Sequence, residues 1–97
     1  MPTPKFKLGC IVATSGASEA LKRSGESALI FLHRHATGDW GEVGEEDWQL
    51  NNEALKDGSR LLSAYQTRLG DRLWIITEAE DDEGRRACTT ILTPTEY

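Results

Sequence analysis

The sequence predicts one α+β domain, with elements in the order β-α-α-α-β-β-β and a C-terminal antiparallel meander packed against helices. Three patterns carry this expectation. Residues 5–13 alternate in polarity with the period of a strand. Apolar residues at helical spacing, separated by glycines, follow through residue 58. Apolar runs of strand length, divided by short polar turns, occupy the remainder. A 97-residue chain fits one domain over residues 1–97 and leaves no room for a second core.

Phe6, Leu8, Cys10 and Val12 alternate with Lys5, Lys7, Gly9 and Ile11, which places the first strand at residues 5–13. Thr14, Ser15 and Gly16 supply cap and turn chemistry for a short helix of about two turns, with Glu19 in its first turn and Gly25 as its stop. A second helix is expected over residues 26–36, where Ala28, Leu29, Phe31, Leu32 and His35 form an apolar stripe, and Gly38 ends it. Residues 37–44 hold Gly38, Gly41 and Gly44, too many for a helix interior, and read as an ordered loop around Trp40. Glu45, Glu46 and Asp47 complement the N-terminal dipole of a third helix, with Lys56 suited to its end and Gly58 beyond it. Its inner side is expected to carry Trp48, Asn51, Asn52 and Leu55.

The character then changes. Residues 61–67 and 73–77 read as a hairpin around Leu69-Gly70-Asp71, and the second run, apolar on both faces, belongs in the middle of a sheet. After the polar turn at residues 81–84, residues 86–92 return as a strand that Pro94 terminates. Trp74, Ile76, Leu62, Leu92, Phe31, Leu32, Leu55 and Val12 are the expected core.

Composition excludes several classes. Hydrophobic residues at 38% and charged residues at 28% are those of a soluble globular domain and not of a disordered tail. The longest apolar run, Ala28 to Leu32, is too short to span a bilayer, and the N-terminus has no signal-peptide core, so a cytoplasmic location is expected. The net charge of −5 is uneven: Lys5, Lys7, Lys22, Arg23 and Arg34 dominate the first 35 residues, whereas acids outnumber Lys56 over residues 36–57. No continuous basic stripe exists for duplex DNA, and a basic protein partner suits the acidic middle better. As a plain solvated face, Glu42, Glu45, Glu46, Asp47, Glu53 and Asp57 also serve solubility. Cys10 and Cys88 are isolated thiols without ligand spacing and read as reduced core filler.

Recognised catalytic patterns are missing. His33, His35 and Asp39 are close in sequence, but residues two apart on a helix point in nearly opposite directions, so no metal site is expected. There is no GxSxG elbow, no phosphate-binding glycine loop and no other cofactor signature.

Four blocks carry a resemblance: His35 with Gly38-Asp39-Trp40-Gly41, residues 61–65, residues 73–78, and residues 89–92 with Pro94, Glu96 and Tyr97. They resemble short plasmid-related proteins of proteobacterial plasmids and integrative elements. That resemblance implies carriage on mobile DNA and no particular chemistry. The order of helices followed by a meander also resembles the small metal-independent ribonucleases of the barnase and RelE type. In that reading His33 or His35, Arg60, Arg72, Glu78, Thr77, Thr89 and Arg85 or Arg86 converge on one sheet face.

The reading favoured over an enzyme is a non-catalytic interaction or regulatory module whose partner is another protein. Its expected functional edge is the loop after the second helix, with His35, Asp39, Trp40 and Glu42, and Arg60 adjacent. Two roles stay open for Trp40: a ring inserted in the core as a structural plug, or a ring in an accessible groove flanked by Asp39 and Glu42.

Overall fold

The expected order of elements forms. In the computed structural model, which describes residues 3–97, β1 (Cys10–Ala13) leads into α1 (Ser15–Ser24), α2 (Ala28–Ala36) and α3 (Glu45–Asp57). Then come β2 (Leu61–Gln66), β3 (Arg72–Thr77), β4 (Cys88–Leu92) and a C-terminal 3₁₀ turn, Pro94–Glu96. The helix ends follow local chemistry. Thr14 Oγ1 accepts from Ala17 N–H and Ser27 Oγ from Leu29 N–H, while Gly25 and Gly58 end α1 and α3 in left-handed conformations. The N-terminus of α3 carries Glu45, Glu46 and Asp47, as expected. Glu19, in contrast, lies beyond the first turn of α1.

The four strands lie in the order β1-β4-β3-β2. The meander β2-β3-β4 is antiparallel, and β1 joins it by pairing parallel to β4. A parallel neighbour requires a long crossover, which the three helices and the meander supply. Helices cover one sheet face. Ala17, Ala20, Leu21, Phe31 and Leu32 pack there on Tyr65, Leu73, Ile75 and Ile91, and a second cluster joins Trp40, Ala54 and Leu61. The Cα radius of gyration, 12.8 Å, is that of one compact unit of this length. No described helix is long and apolar enough to cross a membrane.

Two expectations change. The first strand does not extend over residues 5–13, because Gly9 turns the chain at φ 68° where a Cβ would lie 2.4 Å from the Arg86 carbonyl oxygen. Ahead of that turn Lys5 N–H donates to Ala36 O, and Phe6 and Leu8 pack against the core from outside the sheet.

The larger change is one of parity. Phe31, Leu32 and Leu92 are buried as expected, but Leu62, Trp74 and Ile76 are only half-buried and Val12 is 44% exposed. Leu55 is likewise half-buried, and Leu29, placed in the inner stripe of α2, is 71% exposed. The strands turn Leu61, Ser63, Tyr65, Leu73, Ile75, Thr77, Thr89 and Ile91 inward instead. Because β-strand side chains alternate with period two, choosing one set exposes the other.

Candidate functional site

The choice of face follows from a buried polar chain centred on His35. His35 is fully buried, with Nδ1 on Ser63 Oγ at 2.5 Å and Nε2 on Thr77 Oγ1 at 2.8 Å. Thr77 Oγ1 lies 2.7 Å from Thr89 Oγ1, and Thr89 donates to Leu8 O at 2.7 Å. Counting protons fixes every role. The Thr89 hydroxyl proton goes to Leu8 O, so Thr77 donates to Thr89; His35 Nε2–H then donates to Thr77, and Ser63 donates to an unprotonated Nδ1. The ring is a neutral Nε2–H tautomer. Its pKa is lowered from 6.5 to about 3, first by burial and then by the charge of Arg86. One side chain of α2 thereby ties together β2, β3, β4 and the N-terminal segment.

Trp40 takes the plug position. Its ring is fully buried, donates from Nε1 to Asn52 Oδ1 at 3.0 Å, and meets His35 edge-on at a centroid distance of 5.6 Å. Phe6 stacks on Trp40 at 6.3 Å and meets His35 edge-on at 5.2 Å, so the three rings form one cluster. The loop is tied along the free edge of β2: Trp40 O accepts from Ala64 N–H, Glu42 N–H donates to Ala64 O, and Gly41 bridges Ala64 in parallel. Gly41 has φ 73°, and a Cβ there would lie 2.1 Å from the Ala64 oxygen. Asp39 accepts from Arg34 Nε at 2.7 Å and from Gly41 N–H, while its carbonyl accepts from Tyr65 Oη. The Arg34 hydrogen bond, with that of Gly41, holds the Asp39 carboxyl below its ordinary pKa. The Glu42 side chain is exposed.

The residues proposed for a nuclease do not all converge on one surface. Thr77 and Thr89 face inward beside the sealed His35, His33 is exposed on another side of α2, and Arg60, Arg72 and Glu78 are exposed. Arg86 is buried and donates to Ala54 O, Ser59 O and Glu78 O, with its guanidinium 5.7 Å from the Phe6 ring centre. A cleft of about 470 Å³ lies beside it, lined by Lys5, Lys7, Leu55, Glu80 and Arg85 among others. Its buried cation is already committed to carbonyls, and Arg85 pairs with Glu83. Among the described residues no group of three or more His, Cys, Asp or Glu side chains is placed to hold a metal ion.

What remains accessible is the sheet face away from the helices. Register places Val12, Thr90, Ile76 and Leu62 in one row across all four strands, with Leu92, Trp74 and Ala64 in the next. Tyr97 meets the Trp74 ring edge-on at 5.5 Å, and Arg60 donates to Tyr97 Oη at 3.1 Å. A cleft of about 200 Å³, lined by Asp47, Leu50, Asn51, Arg60 and Leu62, continues the patch onto α3, where Leu50 is 55% exposed. A second, of about 190 Å³, joins Glu42 and Arg72 to Trp74. Of the five residues singled out from sequence, Glu42 and Arg60 border this face, Asp39 is half-buried in the loop, and His35 and Trp40 are sealed beneath it.

Sequence reading missed Ser63, Trp74, Tyr97 and Leu50. The available signal was Ser63, Thr77 and Thr89 falling at one parity opposite a histidine in an apolar helix stripe. No protein-family model matches the chain, and no curated protein and no solved structure is significantly similar to it.

Proposed function

We propose that this chain is a non-catalytic protein-interaction module that binds its partner through the open sheet face. A single observation carries the reading: one face of a four-stranded sheet is left half-open, presenting Leu62, Trp74, Ile76 and Val12 beside the exposed Leu50 and Tyr97. A contiguous apolar surface of this kind marks an interaction site, and Trp, Tyr and Arg are the residue types that dominate interface energy. Glu45, Glu46 and Asp47 lie at the start of the helix that rims the patch, so a partner with an apolar surface edged by basic residues complements it. The resemblance to short plasmid-related proteins supports a mobile-element setting, with the partner a host or element protein in the cytoplasm.

The alternative of a metal-independent ribonuclease is less well supported, since of its two candidate bases His35 is sealed and His33 is exposed on another side of α2, and Arg86 is committed to backbone carbonyls. The interaction reading is tested by capture from a host lysate with wild type, Leu50→Glu and Arg60→Glu, using quantitative mass spectrometry. Both changed residues are exposed, so folding is expected to persist. The expected result is a partner enriched by wild type and at least tenfold depleted in both variants. Equal capture by all three removes the face from the reading.

A further inference from the structure

We propose that Cys10 and Cys88 form a reversible oxidation site, in which a hydroperoxide converts the two thiols into a disulfide linking β1 to β4. Cys10 and Cys88 are paired positions of adjacent parallel strands, so both side chains leave the same face of the sheet. Neighbouring strands lie about 4.8 Å apart, inside the roughly 4.4–6.8 Å range of Cα separations that a disulfide spans, so the spacing of the paired strands is compatible with the bond. Both thiols are free, Cys10 exposed and Cys88 half-buried, which gives an oxidant access. The neighbouring Cys10 thiol, followed by burial, raises the pKa of Cys88.

The chemistry balances with one peroxide. The Cys10 thiolate attacks the distal peroxide oxygen, the O–O bond breaks, and the departing alkoxide takes a proton to leave as an alcohol, or as water from hydrogen peroxide. Cys10 is then a sulfenic acid. The Cys88 sulfur attacks the Cys10 sulfur, the S–O bond breaks, and the leaving hydroxide takes the Cys88 proton as water. Two thiols lose two electrons and the peroxide gains them. The exposed Cys10 meets the oxidant, and Cys88, its partner across the strand pair, resolves the sulfenic acid.

The consequence falls on the weakest part of the sheet. Strand β1 is four residues long, exposed throughout, and held by one neighbouring strand. A covalent link to β4 pins this edge and closes a loop that spans most of the chain, the case in which cross-linking restricts the unfolded state most. The modification stands whether or not the open face binds a protein.

The test treats the reduced full-length protein with a slight excess of hydrogen peroxide and follows intact mass, thiol titre and melting temperature. The expected result is a monomer lighter by about 2 Da, loss of both titratable thiols together, a peptide joining Cys10 to Cys88, and a Tm higher by about 10–20 °C, all reversed by dithiothreitol. Cys88→Ser, which leaves the exposed Cys10 without its resolving partner, is expected to accumulate sulfenic acid or intermolecular dimer. Peroxide-treated wild type that keeps both thiols, forms dimers through them, or carries sulfinic acid on an unlinked Cys10 overturns the proposal.

Discussion

Mild acid should destabilise this protein through His35. A buried histidine whose folded pKa lies below its unfolded value binds protons more readily when unfolded. Its penalty is therefore absent above pH 6.5 and grows as the pH falls toward the folded value of about 3. Each pH unit in that window costs about 1.4 kcal/mol, so acidification from pH 6.5 to 4.5 removes about 2–3 kcal/mol. For a chain this short, whose total stability is on the order of 5–10 kcal/mol, that loss is large. The window also isolates the cause. Asp39, Asp57, Glu26 and Glu96 all have lowered pKa values, Glu96 to about 2. Their stabilisation is present above the ordinary carboxylate range and is lost only below it, as pH falls toward the folded values. Urea unfolding at pH 7, 6, 5 and 4.5, with wild type and His35→Gln, reads the effect. Wild type should lose stability steadily from pH 6.5 downward, while His35→Gln starts lower and stays nearly flat over the same range. A flat wild-type profile, or an equal slope in both proteins, refutes the sealed neutral histidine.

Trp40→Ala empties a fully buried ring site and frees the Asn52 amide oxygen, so a loss of about 3–5 kcal/mol and a Tm lower by about 15–30 °C is expected by calorimetry. Gly41→Ala forces a Cβ into the Ala64 carbonyl at positive φ, and denaturant titration should show at least about 2 kcal/mol of destabilisation. Arg86→Met removes the guanidinium donor from the carbonyls of Ser59 and Glu78 and leaves Ala54 O with Gly58 N–H alone, for an expected loss of about 2–4 kcal/mol, partly restored by Arg86→Lys.

Much of the fold was readable because the signals are local. The cap at Thr14, stops at Gly25 and Gly58, and acids at the start of α3 each act over a few residues, whereas the Ser27 cap, which starts α2 two residues later than expected, was not picked out. The face of the sheet was not readable in the same way. In β3, Leu73-Trp74-Ile75-Ile76 is apolar at both parities, so hydrophobicity alone favours the larger Trp74 inward. Alternation in β2 would likewise send Ser63 outward. Both preferences are overridden because His35 arrives from α2 with two ring nitrogens to satisfy, and only the parity that buries Ser63, Thr77 and Thr89 provides the partners. That contact joins residues 28 and 42 positions apart, beyond the reach of any periodicity. The candidate site inherits the inversion. Arg60 and Glu42 were picked out for their charge and do border the open face, whereas Trp40, picked out as an aromatic beside acids, anchors the loop from inside.

The central claim is that the polar chain under the helices leaves Trp74, and not Trp40, to meet a partner. Hydroxyl-radical footprinting read by mass spectrometry tests it on the free protein and on the captured complex. The account predicts labelling of Trp74 and Tyr97 in the free protein, protection of both in the complex, and an unlabelled Trp40 in each state. Labelling of Trp40 in the free protein and its protection in the complex, with Trp74 unchanged, would contradict it.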